Sequence, residues 1–514
     1  MSALLCRPPS FYQLTSWVPW WIVVTGILGV VVLLRVGRNL RAGRKTPAPL
    51  PPGPKGLPIL GNLFQIPIHQ PWKVYHSWKE TYESVELKDQ IQGDIIYLEA
   101  LGQRILVLNS LASIEALLVK RAANYSDRAG SVITDLMRFG WLFGLMNYGS
   151  EWRERRRVFH QFFNHSEQHH PLIEHEIGNF LRQLTKRPTG YKEEVRTMLG
   201  TLIMRLTYGA EDNEYNKRLI HAASAVAIGF TKYSVPGELL VTSFPLLRYV
   251  PSWFPGAGWK SKLEELAVIN DYIHGQPFDD AIERAKSGKR EEFPSFMSNV
   301  LQTLPPEEDP ERPRQEGVAR DVAAGAYAGG CRSIPLHAPE WLIVSVDNAI
   351  ASSANVLAVA LALHPDVQEK AQAEIDAVVG SDRLPEFSDL DHLPYIQAIV
   401  KEFSPERFLE NEKLNPSVLD PEVAIFGYGR RVCPGRQLGN DILTILAARL
   451  LACFNVKQAF DEAGNPKPIS AEMTSTFISL VFRLVQAAIE TDLRSGVGRP
   501  CRLIAMLYLA LQAI

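Results

Sequence analysis

Residues 426–436 read FGYGRRVCPGR, and this stretch decides how the rest of the chain is interpreted. Gly429 and Gly435 flank a single cysteine, Cys433, and allow the backbone to turn tightly and pass close to a bulky group. The nearby cationic side chains are Arg430, Arg431 and Arg436. Positive charge favours a thiolate over a thiol. Residues 437–451 follow with a helical pattern, so Cys433 is predicted just before a helix N-terminus, where the helix dipole also stabilises an anion.

A thiolate in a glycine-lined loop is a suitable axial ligand for haem iron. The spacing Phe-x-x-Gly-x-Arg-x-Cys-x-Gly, from Phe426 to Gly435, resembles the haem-binding loop of the cytochrome P450 superfamily. In that family the cysteine is the proximal iron ligand, the aromatic residue packs against the loop and the arginine contacts a haem propionate. The resemblance assigns these roles to Cys433, Phe426 and Arg431, with Gly429 and Gly435 as the loop glycines. The alternative is a buried structural cysteine, the usual state of a lone Cys.

The resemblance is to membrane-anchored eukaryotic members of the microsomal, fungal-like type. It implies a mainly α-helical fold with small β-sheets (α+β) that binds haem b. It also implies monooxygenase activity, in which one atom of O2 enters a small apolar organic substrate and the other is reduced to water. Electrons are expected from NADPH through a separate NADPH-cytochrome reductase, because the sequence has no flavin or nicotinamide fingerprint. The basic residues around Cys433 indicate that an acidic partner docks on that side.

Composition limits the function classes. The chain has 514 residues, 46% of them apolar, which is enough for one large core or two ordinary domains. Its net charge of −2 gives no indication of nucleic-acid binding. The five cysteines lack the paired spacing of a zinc site or a disulfide framework, which favours a reducing compartment. They are Cys6, Cys331, Cys433, Cys453 and Cys501.

A membrane anchor is predicted near the start of the chain. Residues 17–34 read WVPWWIVVTGILGVVVLL, carry no charge and are long enough to cross a bilayer. Arginines and a lysine follow at once, so the positive-inside rule places residues 1–16 in the lumen and the rest in the cytoplasm, as in a single-pass protein of the endoplasmic reticulum membrane. A cleaved signal peptide is the alternative, but no small-residue cleavage pair follows residue 34.

The remaining boundaries follow from composition and resemblance. Residues 35–62 are basic and then proline-rich, which predicts a stiff hinge. Residues 63–480 are assigned to a haem-binding monooxygenase domain, and residues 481–514 to an atypical tail. Within the domain, residues 94–109 predict a β-hairpin, and residues 303–315, rich in Pro and Glu, predict a surface loop. Helices are predicted at residues 172–186, 191–206, 216–230, 259–286, 351–363 and 364–376.

Trp152 and Arg156 lie four residues apart and share one face of a predicted helix. The family has a Trp-x-x-x-Arg helix whose side chains bond the haem propionates, and these two residues match it. The alternative is a solvated basic helix face, because four of the six residues from 152 to 157 are arginine.

The central helix resembles the family until it reaches the oxygen-activating residues. Residues 317–330, GVARDVAAGAYAGG, match a helix that crosses above the haem as Ala-Gly-x-Asp/Glu-Thr. Cys331 and Arg332 then stand where the family has its acid and threonine, which relay protons to O2. Ser333 is the nearest alcohol and is the candidate catalytic residue. Pro335 and Pro339 cannot continue a helix without a break, so about twenty residues, 331–350, are interpreted as an insertion.

A second departure concerns the ion-pair cluster beneath the haem. Glu402 matches the acid of the family's Glu-x-x-Arg, but Pro405 stands where the arginine is expected. Arg407 matches a later family arginine that joins the same cluster, so several dozen intervening residues are absent. An unpaired buried Glu402 would cost about 3–5 kcal/mol. We therefore expect poor haem binding or poor folding.

These abrupt departures, with a further insertion at residues 83–92, leave alternatives open. One is a mis-spliced product, which sequencing of the transcript would test. Another is a catalytically impaired or non-catalytic membrane protein that lacks the acid–alcohol pair and the Glu-x-x-Arg arginine. A third keeps the haem for isomerisation or peroxide chemistry, which needs no reductase.

Overall fold

The computed structural model describes residues 50–67, 71–82, 94–288, 290–330, 349–460, 463–465 and 489–493, apart from gaps at 59, 101, 235–237, 403–404, 411–412 and 416. Gly26 and Gly29 are also described, as isolated helical positions. Residues 83–92 and 331–348 of the predicted insertions lie outside these residues, as do Ser333 and the rest of the predicted anchor. Ala349 and Ile350, the last two residues of the second insertion, begin a helix. The chain divides into two compact units, Met1–Ala116 and Leu117–Ile514.

A β-hairpin organises the first unit, and it confirms the hairpin predicted at residues 94–109. The elements in chain order are α1 (Pro71–Thr81), β1 (Ile95–Ala100), β2 (Gln103–Leu108) and α2 (Leu111–Ile114). The two strands are antiparallel, with Ile95 opposite Leu108. Every second residue of β1 is buried, and Ile96 and Leu98 are fully buried. This alternation is the pattern of a strand with one face on a core.

The second unit is mainly helical. In chain order its helices are α3 (Ala122–Tyr125), α4 (Val132–Leu136), α5 (Ser150–Phe163), α6 (His170–Lys186), α7 (Tyr191–Tyr208), α8 (Asn213–Tyr233), α9 (Leu240–Ser243), α10 (Gly258–Lys286), α11 (Phe296–Thr303), α12 (Arg312–Gly330), α13 (Ala349–Leu363), α14 (Pro365–Val378), α15 (Pro394–Lys401), α16 (Glu422–Ile425) and α17 (Arg436–Cys453). Short 3-10 turns connect several of them, among them Phe139–Trp141 and Gly429–Arg431.

Helices α7 and α17 form the middle of the core. Helix α7 packs against α6, α8, α12 and α13, while α17 packs against α6, α13, α14 and α15. In α17 every residue from Ile445 to Cys453 is buried. A helix that is buried all round belongs to the interior of a large domain, and each fully buried Leu or Ile contributes about 1.5–3 kcal/mol. Since α17 starts at Arg436, three residues after Cys433, the cysteine loop is attached directly to a core helix.

Two small antiparallel sheets complete the second unit. They pair β3 (Leu409–Glu410) with β4 (Lys413–Leu414), and β5 (Phe454–Gln458) with β6 (Ile489–Leu493). Strand β5 follows α17 without a break. Its partner β6 lies inside residues 481–514, the predicted atypical tail, where no strand was predicted. Ile489–Leu493 pairs along its whole length with β5.

Most predicted helices lie where the sequence places them, with ends that differ by a few residues. The predicted loop at residues 303–315 is wrong at its end, because α12 begins at Arg312. Pro313 fits the first helical turn, where its missing N–H costs nothing. The Arg312 side chain also donates to Glu316 at 2.7 Å, one turn ahead, which supports the helix.

Apolar side chains are exposed on the segment between α9 and α10. Leu246, Tyr249 and Trp253 are 77%, 75% and 80% exposed. The same segment is anchored by Lys260, whose Nζ donates to the carbonyl oxygens of Arg248 and Val250. In the part of the chain that the structure describes, no single helix has the length and apolar composition to cross a membrane. One pair, Ile350–Leu363 with Pro365–Val378, has them jointly but is bent by 105°.

Candidate active site

The cysteine loop is held by backbone geometry that requires glycine. The N–H of Cys433 donates to the carbonyl oxygen of Phe426 at 2.7 Å, which closes the loop. Gly427 and Gly429 have φ of 76° and 56°, in the left-handed region that favours glycine. A Cβ on Gly429 would lie 2.1 Å from the carbonyl oxygen of Leu118, so no side chain fits there. The tight turn and close approach predicted for Gly429 are confirmed, although its bulky neighbour is backbone. Gly435 has a φ of −95°, and the nearest atom to a Cβ there would be Cζ of Phe159 at 3.9 Å, so the prediction is wrong for Gly435.

The Cys433 thiol is exposed on one side, while the loop removes water from its other sides. This burial raises the pKa of Cys433, and the Gly435 N–H, Arg156 and Arg436 lower it by less. Among the flanking arginines, Arg436 lowers the pKa as expected, but burial outweighs it. The other two flanking cations contact other groups. Arg430 lies over the Tyr148 ring and Arg431 donates to backbone carbonyls.

Helix α17 begins where the sequence places it. Gly435 is the N-cap, Arg436 is the first helical residue, and the Gly439 N–H donates to the Gly435 carbonyl at 2.9 Å. Cys433 is thus two residues from the positive end of an 18-residue helix. That dipole stabilises negative charge on the sulfur once the proton has left.

The structure brings Trp152 and Arg156 to the cysteine loop. Both lie on α5, where Trp152 is buried. The Arg156 Nη2 donates to the carbonyl of Val432, next to Cys433, at 2.6 Å. The Trp152 ring lies near two guanidinium groups, 5.3 Å from Arg156 and 4.7 Å from Arg431. Residues that are about 280 positions apart in sequence therefore form one cluster with the cysteine loop, as the resemblance implied.

This cluster has more positive than negative charge. Burial is the main cause that lowers the pKa of Arg156 and of Arg431, and neighbouring arginines lower both further. Arg431 uses Nε and Nη2 on the carbonyls of Ser126 and Met146, at 2.6 and 2.8 Å. Its Nη1 is buried, with no hydrogen-bond partner among the described residues. Buried charged donors are rarely left unpaired, so Arg431 Nη1 is a donor available to a carboxylate of a haem.

Glu402 and Arg407 form an ion pair, which corrects one expectation. Helix α15 ends at Lys401, and Glu402 continues in an extended conformation. The Glu402 side chain is 34% exposed and that of Arg407 is 57% exposed. The prediction of an unpaired, buried Glu402 is therefore wrong, and the cost attached to it does not apply.

Sequence reasoning missed two charged clusters. Lys401, immediately before Glu402, contacts Asp420 and Glu422, which precede the cysteine loop. In the central helix, Asp321 is buried and contacts Arg155 on α5 and His274 on α10, each at 2.8 Å. A lone acid in the otherwise small and apolar part of α12 was the available signal for the second cluster. The Lys401 cluster had no sequence signal, because Asp420 and Glu422 lie 19 and 21 positions after Lys401 in the chain.

Helix α12 ends at Gly330, at the point where the family's oxygen-activating residues are expected. Gly325 packs closely in this helix, since a Cβ there would lie 2.8 Å from Cε1 of Phe143. This confirms a helix that needs small residues. Cys331, Arg332 and Ser333 lie outside the described residues, so the proton-relay assignment to Ser333 stays a prediction.

A comparison with protein-family models matches the chain to cytochrome P450 over residues 51–269, 338–403 and 401–479. The second and third matches meet at residues 401–403, where the sequence indicated missing family residues. The last ends at 479, next to the predicted end of the resemblance at 480. The first break, between 269 and 338, includes the first part of the predicted insertion.

Curated relatives agree with this match. Cytochrome P450 monooxygenase COX1 of Coprinopsis cinerea is 40% identical over 89% of this chain and 95% of its own length. Cytochrome P450 monooxygenase COX2 of the same fungus is 32% identical, over 85% and 88%. Tryptamine 4-monooxygenase of Psilocybe cyanescens is 31% identical, over 89% and 95%. Among solved structures, a zebrafish cytochrome P450 with abiraterone is 18% identical, with a TM-score of 0.57, and covers 83% of this chain and 100% of its own.

The fold and the cysteine site thus define a mainly helical oxidoreductase of the monooxygenase class. The chain belongs to the cytochrome P450 family. These comparisons give no support to the non-catalytic alternative.

Proposed function

We propose that the chain is a haem-thiolate monooxygenase that inserts one atom of O2 into a small apolar organic substrate, with electrons from NADPH delivered by a separate reductase. The observation that carries the proposal is the cluster around Cys433. An exposed thiol lies at a helix N-terminus, and the nearby Arg431 has a buried donor with no partner among the described residues. Haem fits this set of groups, because it offers an iron to the sulfur and carboxylates to the arginines.

Each residue of the site has a defined part. Cys433 would ligate the iron, and Arg431, Arg156 and Trp152 would hold the propionates. Phe426 fixes the loop through its carbonyl, which accepts the Cys433 N–H. Haem, when bound, supplies the binding and reductive activation of O2.

Ligation requires that Cys433 lose its proton. Burial opposes this loss, since it raises the pKa of the thiol. The Gly435 N–H, Arg156 and Arg436 stabilise the charge that then forms. As the thiolate ligand, Cys433 would supply the electron density that a haem needs for O2 activation. The Ser333 hydroxyl is proposed to pass protons to O2, on the face of the haem opposite Cys433.

The reductase is proposed to bind on the side of the cysteine loop. Arg430 and Arg436 flank Cys433 and are exposed. Exposed cations attract an acidic partner and raise its association rate at low salt. A reductase bound at this surface would lie near Cys433, which shortens the path for electrons to a haem held there.

We further propose that the protein is anchored in the endoplasmic reticulum membrane by residues 17–34, with residues 1–16 lumenal and the domain at 63–480 cytoplasmic. The exposed Leu246, Tyr249 and Trp253 support contact with lipid. An apolar substrate that partitions into the bilayer could then reach the protein from the membrane.

The test is the difference spectrum of the reduced, carbon monoxide-bound membrane fraction. We expect the band of a thiolate-ligated haem in the wild type and its loss in the isosteric Cys433→Ser variant. NADPH-dependent substrate turnover should then require added reductase. A haem band without thiolate character, or an identical band in Cys433→Ser, would contradict the proposal.

A further inference from the structure

Lys401 makes contacts that link α15 to the segment before the cysteine loop. Its ammonium donates to Asp420 and lies 3.6 Å from Oε1 of Glu422. The Lys401 side chain is 21% exposed, and its partners are about 40% exposed. Water therefore screens these contacts less than it screens an ordinary surface pair.

Glu422 connects the two flanks of the cysteine loop. It lies on α16, before the loop, and its Oε1 accepts a hydrogen bond from Nδ2 of Asn440 on α17, after the loop, at 2.7 Å. Helix α16 ends at Ile425, and the next carbonyl, that of Phe426, accepts the Cys433 N–H. The contact between Glu422 and Asn440 therefore closes the base of the loop, and the Cys433 hydrogen bond lies just inside it.

Lys401 places a cation between two carboxylates at the base of the loop. Its ammonium contacts both Asp420 and Glu422, and the Asp420 carboxylate also accepts the backbone N–H of Glu422 at 2.9 Å. Lys401 compensates both. Burial alone would raise the pKa of Asp420, but the hydrogen bonds from Lys401 and the Glu422 N–H outweigh it and lower the pKa. This agrees with a carboxylate that stays charged in the fold.

We propose that Lys401 is a positioning residue for Cys433: through Asp420, Glu422 and Asn440 it holds the base of the ligand loop closed. The inference rests on the proposed haem-thiolate function, which makes Cys433 the iron ligand. The Glu402–Arg407 pair does not do this, because it joins residues five positions apart and lies at the surface. In this chain the cation that ties α15 to the loop is one residue earlier than the family's acid.

The experiment uses full-length protein and two independent readouts. The first is hydrogen exchange of peptides that cover residues 422–433 in haem-free protein, with peptides of α7 as an internal measure of global stability. The second is the fraction of haem with a thiolate band after reconstitution. The variants are Lys401→Met, Lys401→Arg and Glu422→Gln, the last of which keeps the shape of the side chain. Lys217→Met removes an exposed pair with Glu214 and is the matched control.

We expect Lys401→Met and Glu422→Gln to exchange about fivefold faster at residues 422–433, equivalent to ~1 kcal/mol, with α7 unchanged. Both should also lose thiolate-band fraction, while Lys401→Arg and Lys217→Met stay near wild type. Unchanged exchange in Lys401→Met and Glu422→Gln would overturn the inference. A different outcome is faster exchange in both variants with a wild type that never shows a thiolate band. That result would overturn the proposed function but would still support closure of the loop by Lys401.

Discussion

Gly429 shows how one residue fixes the position of the cysteine. Its φ of 56° excludes most side chains, and the Leu118 carbonyl occupies the place where a Cβ would be. Within the loop, the Cys433 N–H is bonded to the carbonyl of Phe426, which holds its two ends together. The backbone at Gly429 therefore fixes how closely the loop approaches Leu118.

The variant Gly429→Ala should lower the free energy of unfolding by ~2 kcal/mol or more. Two costs add: the left-handed backbone conformation, which alanine disfavours, and the clash of its Cβ with the Leu118 carbonyl. Urea unfolding of the haem-free protein measures this. Gly144→Ala is the control, because a Cβ at Gly144 meets nothing within 4 Å. Equal stability of the two variants would show that the loop relaxes freely.

His169 predicts a pH dependence of stability. It is 1% exposed, and burial lowers its pKa from 6.5 to about 4. Charges on His170 and His165 lower this pKa further, while the hydrogen bond to the Phe162 carbonyl raises it. Between pH 6.5 and 4 the unfolded chain binds the extra proton, so stability falls with decreasing pH across that window. The loss should approach ~3 kcal/mol. His169→Gln should flatten the profile and His221→Gln, at an exposed position, should not. A profile unchanged in His169→Gln would contradict this assignment.

The sequence alone identified the members of the site but not their charge state. Residue type and spacing pointed to Cys433, Phe426, Arg431, Trp152 and Arg156, and the fold brings them together. The pKa of the thiol depends on how much water the loop excludes, which no local pattern encodes. Lys401 was missed for a related reason, because the role of a lysine depends on which carboxylates the fold places beside it.

At the scale of elements, Asp321 ties the central helix to its neighbours. It lies on α12, where its carboxylate contacts Arg155 on α5 and His274 on α10. His274 also stacks on Trp141, with ring centroids 4.8 Å apart. Three helices and the turn at Phe139–Trp141 are thus joined at one buried carboxylate, two turns before the end of α12.

The variant Asp321→Asn should cost ~3 kcal/mol in unfolding free energy, because the largely buried Arg155 keeps only the exposed Glu151 carboxylate, 3.9 Å away. The double variant Arg155→Met, Asp321→Asn should recover part of that loss. Asp279→Asn is the control, since the Asp279–Arg320 pair joins the same helices, α10 and α12, at the surface and should cost under ~1 kcal/mol. Equal costs for the two single variants would show that burial of Asp321 has no energetic consequence.

Helices were predicted correctly where the hydrophobic periodicity of the sequence extends over many consecutive residues. Helices such as Tyr191–Tyr208 and Gly258–Lys286 have strong patterns and lie where expected. The start of α12 was missed because its first turn is proline-containing and charged, a composition shared by loops. Strand β6 was missed because a strand needs its partner, and β5 lies about 30 positions earlier in the chain.

For the whole molecule, the exposed segment between α9 and α10 gives a test of membrane contact. In full-length protein reconstituted with brominated lipids, Trp253→Phe should reduce lipid quenching of tryptophan fluorescence, because Trp253 is 80% exposed. Trp141→Phe, at a buried position, should leave the quenching unchanged. Trp17, Trp20 and Trp21 of the proposed anchor are unchanged in both variants and serve as a common background. Equal quenching in both would argue against lipid contact at this segment.

The pairing of β5 with β6 also bears on how the protein can be shortened for expression. A chain cut before Ile489 would leave Phe454–Gln458 as an unprotected sheet edge directly after the core helix. Such edges recruit other strands and promote aggregation. A stop codon or a cleavable affinity tag should therefore be placed after Leu493. If limited proteolysis cuts the chain before Ile489, the protein should stay soluble only while β6 remains bound to β5.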